Sequence, residues 1–224
     1  MARYKLVILD LDGTLLDTTE GILNAVRYTI DKCGLPDLSE ETIKTFIGPP
    51  IQDSFRKAYC IEDTDKLQEL ATIFRNRYKD NDLYKAKPYP GIYQACEELQ
   101  AADVLLAVAT YKREDYAVDL LRHFGFDKYM TAIYGADHEN ILKKADIIQK
   151  CLNLLDKPYR QNFRGNAVMV GDTENDRLGA QRAGIDFIGV TYGFGFQDKS
   201  ELAMSACIGA ADSVKELSKL ILEV

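Results

Sequence analysis

Five short apolar runs, each close to a helix-like segment, constrain this chain more than any other feature. They are Lys5–Leu9, Val104–Ala109, Ala132–Tyr134, Ala167–Val170 and Phe187–Val190. None alternates cleanly between apolar and polar residues, which is how strands read when both faces are covered. Segments with apolar residues at three- and four-residue spacing lie between them: Ile92–Ala101, Tyr116–Phe124, Ala145–Leu155 and Asn175–Ala183. This alternation predicts an α/β fold with a Rossmann-like three-layer core, in which helices cover both faces of a parallel sheet. In such sheets ligands bind at the carboxyl ends of the strands.

The first two runs are further apart than a crossover requires. Leu15 to Ala102 is 88 residues, whereas a whole strand–helix–strand unit takes about 30. The surplus reads as helices over Ile22–Cys33, Glu40–Ile47, Ile51–Ala58 and Leu67–Tyr78, broken at Gly34-Leu-Pro36 and Gly48-Pro49-Pro50. The expected organisation is a core of residues 1–16 and 86–224, with a helical cap domain, 17–85, inserted after the first strand. The chain returns through Pro88-Tyr-Pro90-Gly91, a stiff segment that opens a helix.

Composition narrows the partners. There are 28 Lys+Arg against 35 Asp+Glu, a net charge of −7, which argues against a nucleic-acid polymer or an anionic membrane. The longest apolar run, Val104–Ala109, falls far short of the roughly 20 residues of a membrane span. The stretch before Asp10 ends in carboxylates and not in a small-residue cleavage site, so no secretory signal is expected. Cys33, Cys60, Cys96, Cys151 and Cys207 are scattered, with no CxxC pair. They read as reduced core thiols of a cytoplasmic protein. Two histidines, His123 and His138, leave little for a His-based metal site or a Ser-His-Asp triad. The expected assembly is a monomer or a weak homodimer.

Acidic residues cluster where the strand runs stop. Asp10-Leu11-Asp12-Gly13-Thr14 follows the first run, and Gly171-Asp172 follows Val168-Met169-Val170, with Asp176 four residues on. If the extended geometry persists, Asp10 and Asp12 point to one side. Asp and Gly also suit an ordinary turn, and Asp176 alone suits a helix N-terminus. Taken together, Asp10, Asp12 and Asp172 form a hard-oxygen ligand set without His or Cys, which fits Mg²⁺ beside a substrate phosphate. Thr110 closes the run Val104–Ala109, where a hydroxyl can hold a phosphate oxygen or cap a helix. Lys144, with Lys143 as its rival, stands just before the helix Ala145–Leu155, where it can reach an anionic substrate or remain a solvated surface lysine.

In this order Asp10-x-Asp12-Gly-Thr14, Thr110, Lys144 and Gly171-Asp172-x-x-x-Asp176 resemble the four motifs of the haloacid-dehalogenase-like hydrolase superfamily. The insertion is similar to that superfamily's first type of helical cap. Ile47-Gly48-Pro49-Pro50, Asp53-Ser54-Phe55 and Pro90-Gly91 are similar to phosphoglycolate phosphatase-like and 5′-nucleotidase-like members. Two departures stand out. Tyr111 follows Thr110 where relatives often carry a small polar residue before a lysine, here Lys112, and no Lys-Pro pair accompanies Lys144.

The resemblance implies Mg²⁺-dependent hydrolysis of a small phosphorylated metabolite, most simply a phosphoglycolate-like monoester. Asp10 would attack phosphorus to form an aspartyl-phosphate, and Asp12 would protonate the leaving oxygen and then activate water. The metal would bind the Asp10 and Asp172 side chains and the Asp12 carbonyl, with Asp176 orienting a water. Thr110 and Lys144 would bind the transferring oxygens. The Gly48 turn is a candidate specificity contact or an ordinary helix–helix turn. A 5′-nucleotidase, a phosphoglucomutase-type isomerase and a phospho-aspartate signalling or binding module are the alternatives. Asp12 disfavours a dehalogenase, since carbon–halogen cleavage needs no acid at that position.

Overall fold

The computed structural model describes residues 2–139, 141–159, 163–203 and 207–222. Its contacts divide the chain into two units, one of Met1–Leu16 with Pro88–Val224 and one of Asp17–Lys87. Two short strands, β2 (Leu16–Asp17) and β3 (Lys87–Pro88), pair where the chain passes between the units.

The larger unit is built on β1 (Leu6–Leu9), all four residues of which are buried. The other strands of its sheet are β4 (Leu105–Arg113), β5 (Met130–Ala136), β6 (Ala167–Gly171), β7 (Asp186–Val190) and β8 (Gly209–Ala211). The order is β5-β4-β1-β6-β7-β8, and every pairing is parallel. The central β1 pairs with β4 on one side and β6 on the other, with Leu9 opposite both Val108 and Val170. From β1 the chain runs outward through β4 to β5, then crosses back to β6 on the other side of β1 and runs outward to β8, so the crevice beyond β1, β4 and β6 lies at the point where strand order reverses. The helices of this unit are α5 (Ile92–Ala101), α6 (Glu114–His123), α7 (Lys144–Tyr159), α8 (Glu174–Ala183), α9 (Lys199–Ala203) and α10 (Val214–Leu222). Helices α7 and α8 bury Ile147, Ile148, Cys151, Leu152 and Ala180 against Leu6, Ile8, Ala107 and Met169 of the sheet.

The smaller unit contains α1 (Thr19–Lys32), α2 (Glu40–Lys44), α3 (Ile51–Tyr59) and α4 (Thr64–Arg77), followed by a π-helical turn, Tyr78–Asp82. Ser39 caps α2 by accepting from the Thr42 N–H, and Asp63 caps α4 by accepting from the Asp65 and Lys66 N–H groups. Phe55 is fully buried, edge-on to Phe46 with ring centroids 5.0 Å apart. Helix α1 lies tight against the π turn. A Cβ on Gly21 would sit 2.3 Å from the Asp82 carbonyl oxygen. The Asp82 side chain, itself fully buried, meets Arg77 at 2.8 Å and Lys85 at 2.9 Å. Gly21→Ala is therefore expected to force α1 off this turn and cost about 1–3 kcal/mol, read as a lower urea midpoint. An unchanged midpoint would show that the turn yields freely.

Several elements differ from the sequence reading. Strand β4 does not stop at Thr110 but runs on to Arg113, with a register shift against β5 between Ala109 and Arg113. Strand β8 was not expected, because Gly209-Ala-Ala211 carries none of the β-branched or aromatic residues that mark strands. Among the described residues no helix is long and apolar enough to cross a membrane.

Candidate active site

Four side chains of one charge cluster come from the carboxyl ends of β1 and β6 and the first turns of α7 and α8. Asp10 follows β1, and its backbone N–H donates to the Val170 carbonyl at 2.9 Å. Asp172 follows β6. Oxygens of Asp10, Asp172 and Asp176 all lie within 4.8 Å of one another, and all three residues are buried. At that spacing each like-charge pair costs about 3–4 kcal/mol at an effective dielectric of 20. Lys144, the first residue of α7 and 2% exposed, offsets part of this. Its Nζ lies 2.9 Å from Asp10 Oδ1 and 2.6 Å from Asp176 Oδ1.

Asp176 serves the helix N-terminus, the first of the roles the sequence allowed, and also faces the charge cluster. Its Oδ2 accepts from the Thr173 N–H at 3.0 Å and the Thr173 hydroxyl at 2.6 Å, closing a capping box on α8. Its Oδ1 faces Lys144. Asp172 Oδ2 accepts from the backbone N–H groups of Phe194 at 2.7 Å and Gly195 at 3.2 Å. Asp172 Oδ1 is buried and has no hydrogen-bond partner among the described residues.

Glycines make room for this cluster. Gly13, at φ +81°, would place a Cβ 2.2 Å from Asp172 Oδ2, and Gly193 would place one 2.5 Å from the same oxygen. A Cβ on Gly171 would lie 2.4 Å from Asp176 Cγ, and one on Gly179 would lie 2.5 Å from Lys144 Cγ.

Burial pushes the Asp10 carboxyl up to about 7. Lys144 opposes that shift, while Asp176 and Asp12 add to it. Burial pushes Asp172 up to about 8, reinforced by Asp176 and Asp10. Burial lowers the Lys144 ammonium, but Asp10 and Asp176 outweigh it and raise its pKa. The protein alone thus holds more negative charge here than it neutralises.

Asp12 lies apart from this triad. Its Oδ1 is 3.1 Å from Lys112 Nζ. Thr110 is 1% exposed, and its hydroxyl oxygen accepts from the Lys112 N–H at 3.1 Å. It neither ends its strand nor caps a helix, since β4 continues through it and α6 begins only at Glu114. Lys143 donates its backbone N–H to Asp146, and it is Lys144 whose ammonium enters the cluster. Gly48 lies in the smaller unit at φ +101°, a conformation that by itself calls for glycine. Sequence reasoning missed the pairing of Lys112 with Asp12 and the loop Tyr192-Gly-Phe-Gly-Phe196 that serves Asp172. The two glycines of that loop, so close after β7, were the available signal.

A family model described as haloacid dehalogenase-like hydrolase matches residues 7–190. The chain belongs to this family. It is 34% identical to a 5′-nucleotidase of Pseudomonas aeruginosa, over 88% of this chain and 87% of that one. It is 32% identical to a phosphoglycolate phosphatase of Agrobacterium fabrum (84% and 81% covered), and 31% identical to a protein of Mycobacterium tuberculosis named tyrosine-protein kinase PtkA (97% and 72%). A solved structure described as a predicted phosphatase from Clostridium acetobutylicum superposes with a TM-score of 0.88 at 32% identity, covering 99% of both chains.

Proposed function

We propose that this phosphatase of the haloacid dehalogenase-like family hydrolyses a small phosphate monoester through a covalent intermediate on Asp10. The observation that carries the reading is the trio of buried carboxylates at the strand ends, countered by one ammonium and including an oxygen, Asp172 Oδ1, unpartnered among the described residues.

An Asp10 oxygen attacks phosphorus while the bond from phosphorus to the ester oxygen breaks, and Asp12 gives its proton to the departing alkoxide. Water then attacks the aspartyl-phosphate, Asp12 takes the proton back, and phosphate leaves with Asp10 regenerated. Lys144 and the Thr110 hydroxyl bind the transferring oxygens. Lys112, already against Asp12, is a second cation within reach of the anionic substrate. Asp10, Asp172 and Asp176 are the side chains suited to holding Mg²⁺, joined by the Asp12 carbonyl. When bound, the cation would keep the carboxylates ionised and neutralise charge on the phosphoryl group. The inserted unit is read as the cap that screens the reaction from water and selects the leaving group, with Gly48 at its specificity turn. Phosphoglycolate-like small acids are the proposed substrate class, and nucleoside monophosphates are the rival.

The test is a panel of phosphorylated metabolites with Mg²⁺, followed by free phosphate. Release should depend on the cation, vanish on chelation and return on adding it back. A folded protein that released no phosphate from any ester would overturn the reading. So would one that passed the phosphoryl group to a sugar or a tyrosine and not to water.

A further inference from the structure

The residue after Thr110, the site of the first departure from the family pattern, has a defined position in this structure. Lys144 opens α7, so its backbone N–H is one of the group that an α-helix leaves without an internal acceptor. That N–H donates to the Tyr111 hydroxyl at 3.0 Å. At the other end of the same residue, Nζ donates to the Ala109 carbonyl at 3.1 Å and lies 5.3 Å from the centroid of the Tyr111 ring. Ala109 and Tyr111 are two residues apart on β4, so one strand holds both ends of this lysine. Gly179 of α8 also lies against the lysine stem, where a Cβ would meet Lys144 Cγ at 2.5 Å. A free lysine stem has many rotamers, and this one is confined where its ammonium meets Asp10 and Asp176.

We propose that Tyr111 is a positioning residue: its hydroxyl fixes the start of α7 and its ring flanks the ammonium, which together aim Lys144 at the reacting carboxylate. This rests on the reading of Lys144 as part of the phosphatase site.

The test is Tyr111→Phe, which keeps the ring and removes the hydroxyl. Three quantities are measured: exchange of the Lys144 amide by NMR, acylation of the Lys144 ammonium by a water-soluble active ester located by mass spectrometry, and the kinetics of an aryl phosphate. Amide exchange should accelerate about tenfold or more, and acylation should rise severalfold. The kcat should fall about five- to tenfold with KM within about twofold, since the lost contact orients a group and does not bind substrate. Cys151→Ala provides the control for general loosening. Its thiol is buried under β4 against the Val108 carbonyl, and its loss should lower stability while leaving all three Lys144 readouts unchanged.

Exchange and acylation at wild-type rates in Tyr111→Phe would overturn the proposal, as would equal rises in Cys151→Ala. Faster exchange with an unchanged kcat would also overturn it, because Tyr111 would then secure the helix and not the reaction. If wild-type protein hydrolysed no ester while Tyr111→Phe still released Lys144, the hold of Tyr111 on the lysine would stand and the phosphatase reading would fail.

Discussion

Lys144→Met should unfold at a markedly lower urea concentration than wild type when both are held at pH 8 with a chelator. The substitution keeps the apolar stem under α8 but removes the charge that lies 2.9 Å from Asp10 and 2.6 Å from Asp176. Three carboxylates then share a buried pocket with no cation among them. Removing one partner of a buried ion pair costs about 3–5 kcal/mol, and here it leaves two partners uncompensated. The cost has a ceiling, since the carboxyls can take up protons. The deficit should therefore shrink as the pH is lowered toward 5, where protonation relieves the repulsion. Turnover should fall by about 10²–10³, the scale of losing one preorganised group that meets developing charge. Equal urea midpoints at pH 8 would mean that Lys144 does not neutralise the cluster, and turnover within a few-fold of wild type would mean that it does not serve the reaction.

The parts of this site that were legible in the sequence are those written in local order. Asp10 and Asp172 each follow a short buried run, and a buried run ending in a carboxylate places that carboxylate at a strand tip wherever the strand lies in the sheet. That β1 and β6 are neighbours was not legible, because burial on both faces marks a covered sheet without saying which of its strands pair. What could not be read depends on register and loop path. Strand β4 runs three residues past Thr110, and that extension, with its shifted register against β5, brings Tyr111 under the start of α7 and Lys112 to Asp12. Nothing in the residue types of Thr110-Tyr-Lys-Arg113 distinguishes a strand that continues from one that turns into a helix. The backbone amides of Phe194 and Gly195 reach Asp172 from more than 20 positions away in the chain, and amides leave no mark in side-chain chemistry. Lys144 was legible as the candidate lysine, with Lys143 left as its rival. The helix N-terminus decides between them, since Lys143 lies outside it and Lys144 within it.

Asp10→Asn should abolish phosphate release, by about 10⁴-fold or more, because an amide cannot replace the carboxylate that becomes esterified. The same substitution should have a second signature that requires no substrate. Without a divalent cation, folding raises the carboxyls of Asp10 to about 7 and Asp172 to about 8, against about 3.9 in an unfolded chain. Raised acids bind protons in the folded state that the unfolded state has already released. Their contribution to stability is therefore full below about pH 4 and is lost as pH rises through 7 and 8. Wild-type protein in chelator should then have a lower Tm at pH 8.5 than at pH 5.5. Asp10→Asn removes one of the two raised groups and also one of the charges that raises Asp172, so its Tm should depend less on pH and exceed wild type at pH 8.5. Adding Mg²⁺ should reverse the ranking, since the cation stabilises the ionised wild-type carboxylates and finds one ligand fewer in the variant. A wild-type Tm that rose with pH in chelator would show that the three carboxylates do not crowd one another. An Asp10→Asn variant stabilised by Mg²⁺ as strongly as wild type would place the cation elsewhere.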